Sequence, residues 1–378
     1  MMRKKIPIVL ASILKPVDDS RMLFKLGFSL RETNKYDLNI IGFSSKKMPD
    51  IKNVRFIPIF SKSRTHPCRI IAPAKFLFHL FRIKPRIVLV CTYELLPAAV
   101  FAKYFLSFKL VYDMQENYLY NLEYNQTLSG TKKSLAKFLV RTIENWSGRA
   151  IDQYIFAEKC YAEEMPGIDN PTVIENKANL PQRQLPSFHL IRPHSPRLLL
   201  TGTIARAYGI STAIKWFRGL REVLPEARLY ISGHCPSSSY ARQLEAETSR
   251  QPGIHLDLSP APLAHSEVLR EIGEADVLLL PYRLLPSIRN KIPTKLYEGI
   301  ALQKPVLISR NEVWEDILKR YPAGMGVDFD DMAGISGIWE KFAGMEFYLR
   351  PPGDEVSWQS ERTALLKLID SLYGSCNP

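Results

Sequence analysis

The sequence predicts an α/β chain of two doubly wound domains, each a parallel sheet covered by helices. Three observations predict it. At 378 residues the chain is long for one hydrophobic core. Short apolar, β-branched runs alternate with longer segments of helical periodicity, the pattern of parallel strands joined by crossover helices. That alternation breaks at a proline-rich stretch from Leu180 to Pro196 and then starts again. A hydrophobic fraction of 46% with 24% charged residues supplies both halves with core and surface, and excludes a disordered chain.

In the first half, strands are expected at Ile6 to Ile13, Leu38 to Phe43, Val54 to Phe60, Arg86 to Thr92, Lys109 to Asp113, Gln153 to Ala157 and Thr172 to Glu175. Helices fall between them at about Ser20 to Thr33, Ile70 to Arg82, Leu95 to Leu106, Lys132 to Arg149 and Lys159 to Met165. The opening MMRKK and its apolar run imitate a signal peptide, but the run is short and has no small-residue cleavage site, so it reads as a first strand. In the second half, strands are expected at Arg197 to Thr201, Arg228 to Ser232, His255 to Leu258, Val277 to Pro281 and Pro305 to Ile308. Helices are expected at Ser211 to Leu224, Ser239 to Arg250, His265 to Gly273 and Thr294 to Gln303. The expected domains are residues 1–180 and 197–350, with 181–196 as linker. Ligands of open α/β sheets bind at strand C-terminal ends, so the expected site is a cleft between two facing domains.

The five cysteines are scattered without CxxC or Cys/His spacing, which argues against a zinc site and a disulfide framework and for a reducing cytoplasm. The net charge of +13 is confined to the first half: through residue 190 there are 29 Lys+Arg against 16 Asp+Glu, and beyond it 22 against 22. Such asymmetry points to an anionic partner met by the N-terminal half, with a merely solvated basic surface as the alternative. The segment Arg69 to Arg82 interleaves cations with apolar and aromatic residues, which suits either a headgroup layer or a helix covering the sheet. No RNP, helix-turn-helix or finger pattern accompanies the charge, so nucleic acid is not the expected partner. No apolar run reaches the roughly 18 residues of a spanning helix.

The chemistry concentrates in Ser287 to Ser309, SIRNKIPTKLYEGIALQKPVLIS. Pro293 suits a helix start, and Lys295 and Glu298, three apart, share one face near the electropositive first turn. Lys295, Thr294 and the N–H groups of that first turn can meet phosphate, while Glu298 can accept hydrogen bonds from a ribose diol. A surface Lys/Glu pair is the alternative. Upstream, Thr201-Gly202-Thr203-Ile204-Ala205-Arg206 ends a strand in a glycine turn before a helix, where backbone N–H groups can approach a phosphate with Arg206 as countercharge. Tyr230 to Gly233 and Ala275 to Tyr282, which includes Pro281 and Tyr282, lie between. Asp328 to Asp331 contains a formal D-x-D, but it falls on a turn late in the chain and is not expected to bind metal.

This ordered set resembles the second domain of the family 4 glycosyltransferases, most closely at ADVLLLPY and IPTKLYEGIALQKPVLIS. KPRIVLVCTYELLPAAV followed by KLVYDMQENY looks like a segment of that family's first domain, and SWQSERTALLKLIDSLY like its closing helix. The resemblance implies the GT-B fold: two Rossmann-like domains facing a cleft, with a C-terminal helix, within residues 351–378, that returns to the first domain. It also implies a retaining, metal-independent transfer from a nucleoside diphosphate sugar, with no cofactor. Glu298 matches the second carboxylate of the family's E-x7-E motif, but the first falls on Asn290, which brings no charge. Gly209 matches the glycine of its basic phosphate motif, whose cationic positions are Thr203 and Tyr208 here; Arg206, Lys295 and Lys291 are the compensating candidates. Gly233, Leu296 and Tyr282 complete the expected donor set.

In the first domain, Gln115 stands where the family has a histidine, beside Asp113 and Glu116, and an amide cannot act as a base. The acceptor proton then goes to the diphosphate oxygen or to Glu116, which could equally be structural. Asp18, Asp19 and Arg21 follow the first strand and are acceptor-side candidates; Asp19 or Ser20 could instead cap the next helix. The expected protein is a cytoplasmic transferase at the inner face of the cell membrane, acting on a lipid-linked or polysaccharide acceptor of envelope glycan synthesis. A non-catalytic scaffold of the same fold, and less so a sugar-nucleotide epimerase, are the alternatives.

Overall fold

The structure, a computed structural model, describes residues 5–44, 50–61, 66–124, 130–180 and 185–374. They form two compact units, one running to Asn176 and resuming at Trp358, the other comprising Lys177–Ser357. In the first unit, strands β1 (Ile6–Pro16), β2 (Tyr36–Phe43), β3 (Val54–Phe60), β4 (Ile87–Val90), β5 (Lys109–Met114), β6 (Gln153–Phe156) and β7 (Thr172–Val173) form one sheet in the order β3-β2-β1-β4-β5-β6-β7. Every pairing is parallel. Both faces are covered, which is why β1 and β4 read as unbroken apolar runs rather than alternating ones. The period of two divides each strand between two cores. Val9, Ala11, Val88 and Val90 pack with Phe76, Leu80 and Ala99, whereas Ile8, Leu10, Ile87 and Leu89 pack with Leu23, Leu30, Leu365 and Ile369.

The last two belong to the closing helix, Trp358–Gly374, which is part of this first unit and donates from Trp358 Nε1 to Ser29 Oγ at 2.9 Å. The segment after β1 differs from expectation. Rather than ending at Ile13, β1 shifts register after Ala11 and continues to Pro16, so Lys15 and Pro16 are strand residues, and Val17 N donates to Phe43 O at 3.0 Å. The helix expected from Ser20 starts as a π-helical stretch, Ser20–Gly27, and continues as Phe28–Glu32.

The second unit contains β8 (Arg197–Thr203), β9 (Arg228–His234), β10 (Ile254–Ser259), β11 (Val277–Leu280), β12 (Val306–Ser309) and β13 (Gly324–Val327), ordered β10-β9-β8-β11-β12-β13 and all parallel. Helices Glu312–Arg320 and Ile335–Ala343 flank β13. Residues 185–196 of the expected linker lie against this unit; 181–184 fall outside the described residues, as does Cys376. Phe188 pairs with Phe347 across a β-bridge, Arg192 meets Asp276 at 2.8 Å, and Pro193 O accepts from Trp339 Nε1 at 3.0 Å. Proline removes donors from a segment but leaves its side chains and carbonyls free to pack. Cys91, Cys160 and Cys235 are buried free thiols.

Candidate functional site

In the second unit the strand order reverses between β8 and β11, the position where open parallel sheets leave a crevice at their strand ends. Three glycines let the backbone close up there. Gly202, in β8, has φ +104°, and a Cβ on it would stand 3.1 Å from Lys295 Cε. Gly209, at φ +69°, starts the Ile210–Val223 helix, and its Cβ would fall 1.7 Å from Pro281 O. Gly233 on β9 would meet Gly202 O at 2.1 Å. Only glycine fits such positive φ and such approach without strain, so the ends of β8, β9 and β11 are drawn together at residues singled out in the sequence.

Across this crevice the Thr294–Ala301 helix presents Lys295 and Glu298 on one turn. Lys295 Nζ donates to Glu298 Oε2 at 2.7 Å, and His265 Nε2 lies 2.7 Å from Glu298 Oε1. Glu298 is 1% exposed, Lys295 16% and His265 23%. Burial alone would raise the Glu298 carboxyl, but Lys295 and then His265 outweigh it and hold it down to about 2. The group is therefore ionised, and each carboxylate oxygen, having taken one donor, retains a further lone pair. His265 opens the His265–Glu274 helix and was not anticipated from sequence; it lies 33 residues from its partner, and a single histidine at a helix start carries no pattern. A second unanticipated carboxylate, Glu271, fixes that helix to the sheet by accepting from Ser232 Oγ at 2.6 Å and Thr201 Oγ1 at 3.1 Å. It thereby positions His265.

The other expected donor residues are distributed around this centre. Asn290 is exposed and ends the short Pro286–Arg289 helix. Its neighbours are held from behind by the Glu312–Arg320 helix: Asn311 Nδ2 donates to Arg289 O and Trp314 Nε1 to Lys291 O, at 2.7 and 2.6 Å. Thr294, first in its helix, is half-buried, and Thr203 is exposed at the end of β8. Pro281 is buried, and the Tyr282 ring lies 4.7 Å from Tyr208 and edge-on to Trp314 at 5.7 Å. The Leu296 side chain is fully buried in the core, and its N–H donates to Pro293 O at 2.8 Å. Arg206 departs from expectation. Its guanidinium lies 4.5 Å over the Tyr240 ring, in a concavity of about 220 Å³ shared with Arg283 and the start of the Ile210–Val223 helix; Gly202, Lys295 and Glu298 do not line it. In the formal D-x-D, Asp328 accepts from the N–H of Asp330 at 2.9 Å, and the adjacent Asp331 accepts from Gly334 N at 2.9 Å, as turn residues.

The first unit has its own reversal, between β1 and β4. Beside it Arg21 donates twice to Asp113, from Nε at 3.1 Å and Nη2 at 2.7 Å, with the two side chains 3% and 0% exposed. Burial works against the Arg21 cation and Asp113 more than offsets it, so its pKa rises. Arg21 is thus bound into a buried pair, not presented to an acceptor. Asp19 accepts from Arg21 N and Met22 N, both at 3.0 Å, as the cap of the π-helical stretch, leaving Asp18 as the uncommitted member of the set. Gln115 Nε2 donates to Asp113 Oδ2 at 2.9 Å, and the exposed Glu116 accepts from Asn121 Nδ2 at 2.7 Å.

No family model and no curated protein sequence matches the chain. Solved structures do. Sucrose-phosphate synthase from Thermosynechococcus elongatus superposes at a TM-score of 0.70 and 12% identity, over 98% of this chain and all of the other. WaaG, a glycosyltransferase of lipopolysaccharide biosynthesis, gives 0.62 and 13% over 97% and 96%. Anabaena HepE, solved with UDP and glucose, gives 0.62 and 10% over 97% and 100%. The chain has the GT-B fold. Within that GT-B framework, the Lys295–Glu298–His265 cluster lies in the second sheet's own strand-end crevice, and the Arg21–Asp113 pair beside the first sheet's.

Proposed function

We propose that the protein transfers a glycosyl group from a nucleoside diphosphate sugar to a lipid-linked or polysaccharide acceptor of envelope glycan synthesis, with retention, without a catalytic metal, and at the cytoplasmic face of the membrane. The observation that carries this reading is the ionised Glu298 held between Lys295 and His265 beside Gly202. A 1% exposed carboxylate cannot meet a ligand while both partners cover it. Lys295 is the movable cover, because its charge ends a flexible stem already stretched toward Gly202. Donor diphosphate at the Gly202 turn draws the Lys295 ammonium onto its oxygens and uncovers Glu298 Oε2 for the ribose hydroxyls. His265 stays to fix the carboxylate.

As the glycosyl bond breaks, charge grows on the departing diphosphate, and Lys295, Lys291 and the N–H groups around Thr294 stabilise it. Gln115 cannot take a proton, so the acceptor hydroxyl proton passes to the departing diphosphate oxygen, with Glu116 as the protein base in a variant of the route. One observation favours a second reading, a donor-binding scaffold without turnover: Asp113 is consumed by Arg21 and Gln115. Incubation of purified protein with nucleoside diphosphate sugars and membrane lipid extract, followed by product analysis, tests transfer. Product that requires both donor and lipid, and is lost in Glu298→Ala, supports the transferase. Donor binding without product would leave the scaffold, and an altered nucleotide sugar formed without acceptor would identify an epimerase.

A further inference from the structure

Three helices on the first unit carry an apolar stripe that the sheet does not use. The Ala72–Ile83 helix buries Ala72, Phe76 and Leu80 against the core, one residue per turn. On its other side, and in the turn before it, Phe78 is 61% exposed and Ile70 84%. The Leu96–Phe105 helix packs beside it and leaves Phe101, Tyr104 and Phe105 49%, 78% and 66% exposed. Rings join the two helices, Phe81 to Phe105 at 6.1 Å and Phe105 to Phe101 at 5.2 Å. The Gly130–Gly148 helix packs against the Leu96–Phe105 helix and exposes Phe138 at 65% and Trp146 at 56%. A water-facing helix surface is ordinarily polar, so three adjacent outward aromatic faces form a patch that needs a partner.

Charge identifies the partner. The three helices contain seven Lys and Arg and a single acid, Glu144. That acid accepts from the Tyr112 hydroxyl of β5 at 3.1 Å, and its burial pushes it up to about 7. Among the outward residues Lys75, Arg82, Lys132 and Arg141 are exposed. We propose that this face seats the protein on an anionic bilayer, with the rings at the headgroup boundary and the cations on lipid phosphates. A second copy fits less well, because a symmetric contact would set this basic face against itself. Among the described residues no helix is long and apolar enough to cross a membrane, so the contact is superficial. The inference does not depend on donor binding.

Co-sedimentation with vesicles, without nucleotide, tests it. The protein is expected to pellet at low salt with phosphatidylcholine vesicles containing about a third phosphatidylglycerol, and at least about tenfold less with phosphatidylcholine alone. The triple variant Phe78→Ser, Phe105→Ser, Phe138→Ser should lower binding to the anionic vesicles by about tenfold or more with an unchanged melting temperature, because these rings are exposed in the free protein. Lys75→Glu with Arg82→Glu and Arg141→Glu should abolish the preference for anionic vesicles. Wild-type protein left in the supernatant at low salt, or a triple variant that pellets like wild type, would overturn the proposal. Self-association lost in the triple variant, with no vesicle binding, would assign the face to a second copy instead.

Discussion

Replacing Glu298 by Gln preserves the volume of the side chain and removes its charge, which isolates the electrostatic part of the cluster. A carboxyl held at about 2 against an ordinary 4.5 makes the folded state more stable at neutral pH by about 3 kcal/mol, at 1.36 kcal/mol per pH unit. The sign follows from the direction of the shift. A depressed folded pKa gives stability that is complete above the unfolded value near 4.5 and disappears as pH falls through about 2. The advantage of wild type over Glu298→Gln should therefore be about 2 kcal/mol smaller at pH 3 than at pH 6. Urea titration followed by tryptophan fluorescence reads this directly, since Trp216 and Trp314 are fully buried in the core of the same unit. Parallel pH dependence in the two proteins would refute the view that Lys295 and His265 hold an ionised carboxylate.

Other substitutions test other parts of the account. Gly209→Ala places a Cβ 1.7 Å from Pro281 O at a positive φ, and should cost about 3 kcal/mol or more, seen as a fall of several degrees in melting temperature. Asp113→Asn leaves the buried Arg21 without its counter-charge and should cost about 3–5 kcal/mol, whereas adding Arg21→Met should recover much of that; equal instability of single and double variants would contradict the pairing. Glu144 has a folded pKa raised to about 7 by burial, so its contribution is present below pH 4.5 and lost as pH rises through 7. Glu144→Gln should accordingly stabilise the protein at pH 8, by up to about 3 kcal/mol, and do little at pH 4. Glu271→Gln weakens the bonds from Ser232 and Thr201 and should cost about 1–3 kcal/mol while weakening nucleotide binding through His265, a coupling read by calorimetric titration.

Both sheets were legible because strand stretches buried on two faces must be apolar, and residues 8–11 of β1, 198–200 of β8, 306–308 of β12 and the whole of β4 and β11 are. β13 was not, because Gly-Met-Gly-Val has no such run; Gly324 is required there by a backbone contact, its Cβ falling 1.8 Å from Val306 O. Lys295 and Glu298 could be paired in advance because helical spacing places residues three apart on one face. His265 and Glu271 could not, since their partners come from other elements and are selected by packing. Arg21 shows the reverse difficulty. Placed after the first strand it looks like an acceptor contact, and only the position of Asp113, 92 residues later, reveals a buried pair. The linker stretch was recognised by its prolines, which report missing backbone donors but not the side-chain contacts of Phe188 and Leu190.

The second unit is proposed to bind a nucleoside diphosphate through Glu298 and Lys295. Thermal unfolding of wild type, Glu298→Ala and Lys295→Ala in the presence of UDP, GDP, ADP and dTDP tests it most directly. At a concentration a hundredfold above Kd, a nucleotide should stabilise wild type by about 2.7 kcal/mol, a shift of several degrees, and should shift each variant little. Failure of all four to stabilise wild type, or equal shifts in wild type and both variants, would contradict the account.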